Sequence, residues 1–183
     1  MCEMLQQKME ANPNWIRDVW FRDEAHFHIN GAVNSHNNIF WGSQRPDEVE
    51  EKSLQGRKVT AFVAVRYRGV FGPYWFEDKN GRTVTISQER YRSIVNAFYE
   101  DLKQSMSTAA LRRQWFMQDG ATPHTANETI AFLRQKFGQR VLSLRMKNDW
   151  SPHSPDLNLL DFFFLWESVR ITSTRNTPDL KLI

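Results

Sequence analysis

Hydrophobic and polar positions fall first into short extended runs and only later into helical spacing, so the chain predicts a sheet followed by helices. Val19-Trp20-Phe21 is a run of strand formers that stops at Arg22-Asp23-Glu24. His26-Phe27-His28-Ile29 alternates, Asn30-Gly31 is a strong hairpin turn, and Ile39-Phe40-Trp41 resumes extended character. These segments predict an antiparallel meander. After a polar, acidic loop from Arg45 to Lys52, the stretch from Val59 to Val65 is almost continuously apolar, as a central strand covered on both faces requires. Val70-Phe71 and Tyr74-Trp75-Phe76 predict another strand, and Asn80-Gly81 another turn.

The clearest helix follows. Thr85 and Gln88 have the spacing of a capping box, and Tyr91, Ile94, Val95, Phe98 and Leu102 line one apolar face. Gln114 to Gln118 forms a short strand that stops at Asp119-Gly120. A second helix is predicted from a Thr125/Glu128 capping box, from Ala126, Ile130, Leu133 and Phe137 on one face, and from Gly138 at the C-terminal cap. Val141 to Leu144 reads as an edge strand and Ser151 to Pro155 as a rigid loop. Asn158 is placed to cap a third helix running to about Ile171. At the beginning, residues 1–14 are polar and end in Asn12-Pro13, which reads as a linker remnant or short frayed helix. At the end, Thr177-Pro178-Asp179 signals a helix start five residues before Ile183, so residues 172–183 read as a truncated segment.

Composition narrows the class. The 183 residues, 40% hydrophobic and 25% charged, suit one soluble domain able to bury roughly 70% of its unfolded surface. No apolar run approaches the ~18 residues of a membrane span, and the N-terminus lacks the basic and apolar regions of a secretion signal. Cys2 is the single cysteine, which excludes an internal disulfide and a cysteine zinc site, so any metal must be held by oxygen or nitrogen. The net charge of +3 lies entirely after residue 100, where 11 basic residues face 8 acidic ones. Alone, that excess is weak support for a polyanionic partner.

The third helix carries an anomaly. Leu159, Leu160, Phe162, Phe163, Phe164, Leu165 and Trp166 make it apolar nearly all round, yet Asp161 is embedded among them. A buried carboxylate must be neutral, paired or bound to a cation, although a first-turn acid also suits the helix dipole. Asp23 and Asp119 each follow an apolar strand, where open α/β sheets place their sites. Three such acids could converge, and carboxylate repulsion is relieved by Mg2+ or Mn2+, hard cations that prefer oxygen. Two such ions can activate a water or 3'-hydroxyl and stabilise the leaving oxygen of a phosphodiester.

The segments Trp20 to Ala25, Gln118 to Ala126 and Trp150 to Asp161 resemble, in order, the three acidic motifs of the Tc1/mariner transposases; Ser154-Pro155-Asp156-Leu157-Asn158 followed by Asp161 is the most specific of them. The resemblance covers roughly residues 15–170. It implies an α/β, RNase H-like catalytic domain over residues 15–171, with a mixed central sheet flanked by helices. It also implies that Asp23, Asp119 and Asp161 are the catalytic, metal-binding carboxylates for two Mg2+ or Mn2+ ions. The activity implied is cleavage and strand transfer of DNA, as in transposition and integration, within a nuclear protein that can act as a homodimer. The 41 residues between Asp119 and Asp161 exceed the spacing of the best-known members, whose third acid is often Glu, so the chain resembles all-aspartate branches. The helix-turn-helix modules that precede this domain in full-length relatives have no counterpart in residues 1–14.

Other residues have plainer readings. Glu24 points to the opposite strand face from Asp23, Asp156 suits a turn cap, and Glu167 faces away from Asp161. His124 stands close after the second acid, where it could touch the metal site or DNA, or cap the next helix. Polar alternation explains His26 and His28 better than zinc does. Trp75, Trp115, Trp150 and Trp166 are expected in the core. Arg112, Arg113, Arg134, Lys136, Arg140, Arg145 and Lys147 could make salt-sensitive phosphate contacts or form an ordinary solvated surface. Two functions remain open: a DNA strand-transferring enzyme, or an inactive remnant with weak nucleic-acid binding. An RNA hydrolase on the same fold is a third. Setting three metal-bound aspartates aside leaves 24 basic against 18 acidic residues, which strengthens the polyanion reading.

Overall fold

One strand, rather than two short ones, carries the first acidic segment. In the computed structural model, which describes residues 2–28, 58–148, 150, 158 and 160, β1 runs Val19–His28 without a break. Its antiparallel ladder to β2 (Lys58–Arg66) extends from Phe21↔Val65 to His28↔Lys58. The charges at 22–24 do not end the strand, because Arg22 and Glu24 pair with each other and leave the ladder intact. Asp23 therefore lies inside a strand and not beyond its end. The Asn30-Gly31 turn, the Ile39-Phe40-Trp41 run, the Ser151 to Pro155 loop, the helix beyond Leu160 and residues 172–183 lie outside the described residues.

The sheet has the order β3-β2-β1-β4-β5, with β3 at Gly69–Trp75, β4 at Trp115–Met117 and β5 at Val141–Leu142. β1, β2 and β3 are antiparallel, whereas β4 runs parallel to β1 and β5 parallel to β4, so the sheet is mixed. Strand alternation sorts the apolar residues into two clusters. One face holds Trp20, Phe62, Ala64, Phe116 and Val141, covered by α2 (Gln88–Ser105) through Tyr91, Val95, Phe98 and Leu102 and by α5 (Asn127–Phe137) through Ile130, Leu133 and Phe137. Aromatic rings dominate there: Trp20 meets Phe98 edge-on at 5.3 Å and Phe116 stacks on Phe137 at 5.1 Å. The other face holds Val19, Phe21, Ala25, Val63, Val65, Met117 and Leu142 together with Trp150 and Leu160. Trp75 and Trp115 are only half-buried.

Residues Cys2–Ala11 form helix α1, and Met4 and Leu5 pack against this second cluster. The Lys8 ammonium lies 4.3 Å from the Trp115 ring, joining the helix to the sheet. A 3-10 turn at Trp15–Asp18 then leads into β1.

The helix starts differ from the capping boxes read in the sequence. Ser87, not Thr85, caps α2 by accepting from the Arg90 N–H at 3.3 Å; the Thr85 carbonyl instead accepts from the Arg90 guanidinium at 2.9 Å. The cap must stand directly before the first helical residue, and only Ser87 does. Thr125 does not cap α5 either. Pro123 helps nucleate a separate turn, α4 (Thr122–Thr125), whose geometry commits the Thr125 hydroxyl to donating to the Ala121 carbonyl at 3.2 Å. Glu128 is free to pair with Arg92 of α2 at 2.9 Å, an exposed contact between helices. Between α2 and β4 a short helix α3 spans Thr108–Leu111. Gly138 ends α5 as expected, with φ +64° and its N–H on the Arg134 carbonyl at 2.9 Å. Among the described residues no helix is long and apolar enough to cross a membrane.

Candidate active site

Parallel pairing sets β1, which carries Asp23, beside β4, which Asp119 follows by two residues. Val19 pairs with Trp115 and Trp20 with Phe116; β4 ends at Met117, and Asp119 stands in the turn that follows. Alternation puts Asp23 on the face of Phe21 and Ala25, the side on which Trp150 and Leu160 are buried. Leu160 precedes Asp161 in the chain, and its N–H donates to the Asn158 side-chain oxygen at 3.3 Å, in keeping with the expected cap. Asp161, Asp156, Glu167 and Trp166 lie outside the described residues. The Asp23 carboxylate accepts from the Glu24 N–H at 2.8 Å.

Arg22 and Glu24 face the other way, toward α2 and α4, and there the chain builds a buried charged network. The Arg22 side chain is wholly buried. Its Nη1 donates to Glu24 Oε2 at 2.7 Å, and its Nη2 lies 3.3 Å from Asp119 Oδ1 and 2.7 Å from His124 Nδ1. His124 Nδ1 also contacts Asp119 Oδ1, and its Nε2 is 3.6 Å from Glu24 Oε2. The Tyr91 ring stacks obliquely on the His124 ring at 4.2 Å, and the Arg22 guanidinium lies 5.1 Å from the Tyr91 centroid. Below them Gln118 is fully satisfied. Its carbonyl oxygen accepts from the Tyr91 hydroxyl at 2.8 Å, and its NH2 donates to the His124 carbonyl and the Ser143 hydroxyl, both at 2.8 Å.

Asp119 straddles this network and solvent, with 51% of its side chain exposed. Its Oδ1 also accepts from the Ala121 N–H at 3.1 Å, which shapes the turn into α4. Burial favours the neutral acid, but the His124 hydrogen bond, the Arg22 charge and the Ala121 N–H outweigh it and hold the carboxyl well below the usual carboxylate range. Burial likewise works against the Arg22 charge, while Glu24 first, then Tyr91, Asp119 and Asp23, hold its pKa above the ordinary value. Burial raises the Tyr91 phenol, with Arg22 opposing and Glu24 and Asp119 reinforcing.

His124 is thus buried against Asp119 and does not cap α5, whose cap position is Ala126. Glu24 does face away from Asp23, yet it is no solvated surface charge, because only 7% of its side chain is exposed. Arg22, Tyr91 and Gln118 were not singled out by sequence reasoning. The available signal for Arg22 was its even position in an alternating strand whose neighbours Trp20 and Glu24 share its face.

The basic residues expected to meet phosphate have mostly local partners. Arg113 lies 3.8 Å from Asp18, Lys136 3.7 Å from Glu100, Arg140 donates to the Gln114 carbonyl at 3.3 Å and Arg145 to the Thr125 carbonyl at 3.3 Å. Arg112 is exposed after α3 and Arg134 lies on α5, with Lys147 exposed after β5. Among the described residues no group of three His, Cys, Asp or Glu side chains is placed to hold a metal ion. His26 is exposed, with its Nδ1 2.7 Å from the Thr60 hydroxyl.

No protein-family profile matches the chain, and no curated protein sequence matches it. Solved structures do. The Mos1 transposase catalytic domain with raltegravir and Mg is 17% identical, with a TM-score of 0.63 over 97% of this chain and 72% of that one. A pre-cleavage Mos1 transpososome is 18% identical with a TM-score of 0.67, and the Mos1 strand transfer complex 18% with 0.66; each match covers 93% of this chain. The chain spans about half the length of the Mos1 chains in those assemblies, at 47% and 45%. At such identity the likeness establishes the fold. The domain is RNase H-like, the fold of the Mos1 catalytic domain, as the sequence resemblance implied.

Proposed function

We propose that this domain is the catalytic part of a Tc1/mariner-type transposase, cleaving DNA and transferring strands at a site formed by Asp23, Asp119 and Asp161. The observation that carries the reading is the fold shared with the Mos1 catalytic domain, in which β1, carrying Asp23, pairs in parallel with β4, the strand before Asp119. The donor set suits hard cations. Asp119 is ionised and half open to solvent, and the carboxylate oxygens of a three-aspartate site favour Mg2+ or Mn2+ over softer metals. The Mos1 structures with Mg and with Mn give the same preference by analogy. A pair of such ions, when bound, supplies the charge that activates a water or 3'-hydroxyl and stabilises the leaving oxygen.

The chain's own contribution is to keep the ligands ionised and in place. Arg22, His124 and the Ala121 N–H fix one oxygen of Asp119, and the buried Gln118 beneath them anchors the His124 backbone. DNA is the substrate on this reading, and the exposed Arg112, Arg134 and Lys147 are available for its phosphates. A paired assembly of two copies in the nucleus follows by analogy with the Mos1 paired-end complexes. The experiment is nicking of supercoiled DNA with Mg2+ or Mn2+: activity is expected, and Asp119→Asn abolishes it. Cleavage persisting in Asp119→Asn would falsify the assignment.

A second reading, a domain that retains nucleic-acid binding without catalysis, draws on one observation: Arg22 already occupies an oxygen of Asp119. Absence of any Mn2+ binding at millimolar metal favours that reading over the first.

A further inference from the structure

On the reading that Asp119 is a metal ligand, we propose that Arg22 is an internal counter-cation of the carboxylate site. Its guanidinium holds Asp119 by Oδ1 until a divalent cation takes that oxygen, so that metal binding and the Arg22–Asp119 contact exclude one another.

The geometry around the guanidinium is unequal. Glu24 Oε2 and His124 Nδ1 both lie at 2.7 Å, whereas Asp119 Oδ1 lies at 3.3 Å. Glu24 is 7% exposed and Asp119 51%. A buried arginine cannot remain without a partner, but Arg22 keeps its shorter, drier contact to Glu24 when it lets Asp119 go. Its Nε is buried with no hydrogen bond, so the terminal nitrogens alone set where the head group sits. Release of Asp119 therefore leaves a paired cation in place.

Asp119 Oδ1 is also crowded. It meets Arg22 Nη2, His124 Nδ1 and the Ala121 N–H, three contacts on an oxygen with two lone pairs. His124 Nδ1 is caught between Arg22 and Asp119. A ring nitrogen that accepts from Arg22 turns its lone pair toward the carboxylate, and one that donates to Asp119 turns its N–H toward the guanidinium. In neither tautomer are all three contacts favourable at once. The conflict lies between the two contacts of His124 Nδ1, and the Arg22–Asp119 contact is the longest of the set and ends on the half-exposed carboxylate. A dication at Asp119 repels the guanidinium through the same oxygen, which makes the two cations rivals.

The test compares Mn2+ affinity, read by electron paramagnetic resonance of the free ion, in the wild-type domain and in Arg22→Gln. Binding about tenfold tighter or more is expected in Arg22→Gln, because the competing charge is gone while Asp119 and Glu24 remain. Equal or weaker binding in that variant overturns the proposal and leaves the metal site standing. If neither protein binds Mn2+, the metal reading and this proposal fall together. The wild-type domain gives an independent readout should Arg22→Gln not fold. Titrated with Mg2+, its Arg22 side-chain nitrogen resonances should move saturably, and Asp119→Asn should abolish the response. A guanidinium signal unmoved while Mg2+ saturates the site overturns the proposal.

Discussion

Gln118 shows how much of the site depends on a neutral residue. It is fully buried, and each arm of its amide reaches a different element: Tyr91 in α2, the backbone of His124 in α4, and Ser143 after β5. Gln118→Leu keeps the approximate volume but strands the Tyr91 hydroxyl and the His124 carbonyl, each costing about 1–3 kcal/mol when buried without a partner. Urea denaturation should record a loss in that range or above it; an unchanged midpoint would mean that the amide is not holding these groups. The acids Asp23 and Asp119 were legible in the sequence because a charge beside an apolar strand is conspicuous. Arg22 was not, although it adjoins Asp23. An arginine in a half-polar strand is ordinarily solvated, and its partner Asp119 lies 97 residues along the chain.

At the scale of elements, apolar spacing foretold α2, α5 and the strands, while the ends were decided locally. The face of Tyr91, Val95, Phe98 and Leu102 is buried as its periodicity required. The cap is the sharper case, since Thr85 and Ser87 are both capping residues and only the backbone before Gln88 selects between them. Ser87→Ala should cost about 1 kcal/mol, a typical loss for an N-cap hydroxyl. Thr85→Ala should cost only a few tenths, because the Thr85 contact uses its carbonyl, which alanine retains. Thermal denaturation of the two variants distinguishes them, and equal losses would restore Thr85 as a capping residue. Gly138→Ala tests the other end of α5. At φ +64° a Cβ is strained by about 1 kcal/mol although it meets little else, so a measurable fall in melting temperature is expected.

For the molecule as a whole, two phenols tie α2 to the sheet and make stability sensitive to alkali. Tyr74 of β3 donates to Asp101 of α2 at 2.5 Å, and Tyr91 of α2 donates to Gln118 just after β4. Burial, the Asp101 hydrogen bond and the Asp101 charge all raise the Tyr74 phenol, and burial raises Tyr91, from an ordinary value of 10.0. A raised folded pKa means that the native state keeps protons the unfolded chain gives up. The stabilisation is fully present below pH 10 and is lost as pH climbs above it toward the folded values. Melting temperature should therefore fall steeply above about pH 10, and Tyr74→Phe should flatten the fall. A Tyr74→Phe profile parallel to the wild type would remove the phenol from that role.

The amino-acid pattern by itself determined the order of strands and helices, the main core residues and the three acids worth suspecting, because periodicity and composition are local properties of a chain. It also favoured a polyanionic partner once those acids were set aside from the surface charge. What only the tertiary structure decided was adjacency. Pairing β1 in parallel with β4 brings Arg22 within reach of groups 97 and 102 residues along the chain and buries it between Glu24, Asp119 and His124. No local pattern reveals such a contact, since the free energy of a buried charge is set by the groups around it in space and not by its neighbours in sequence.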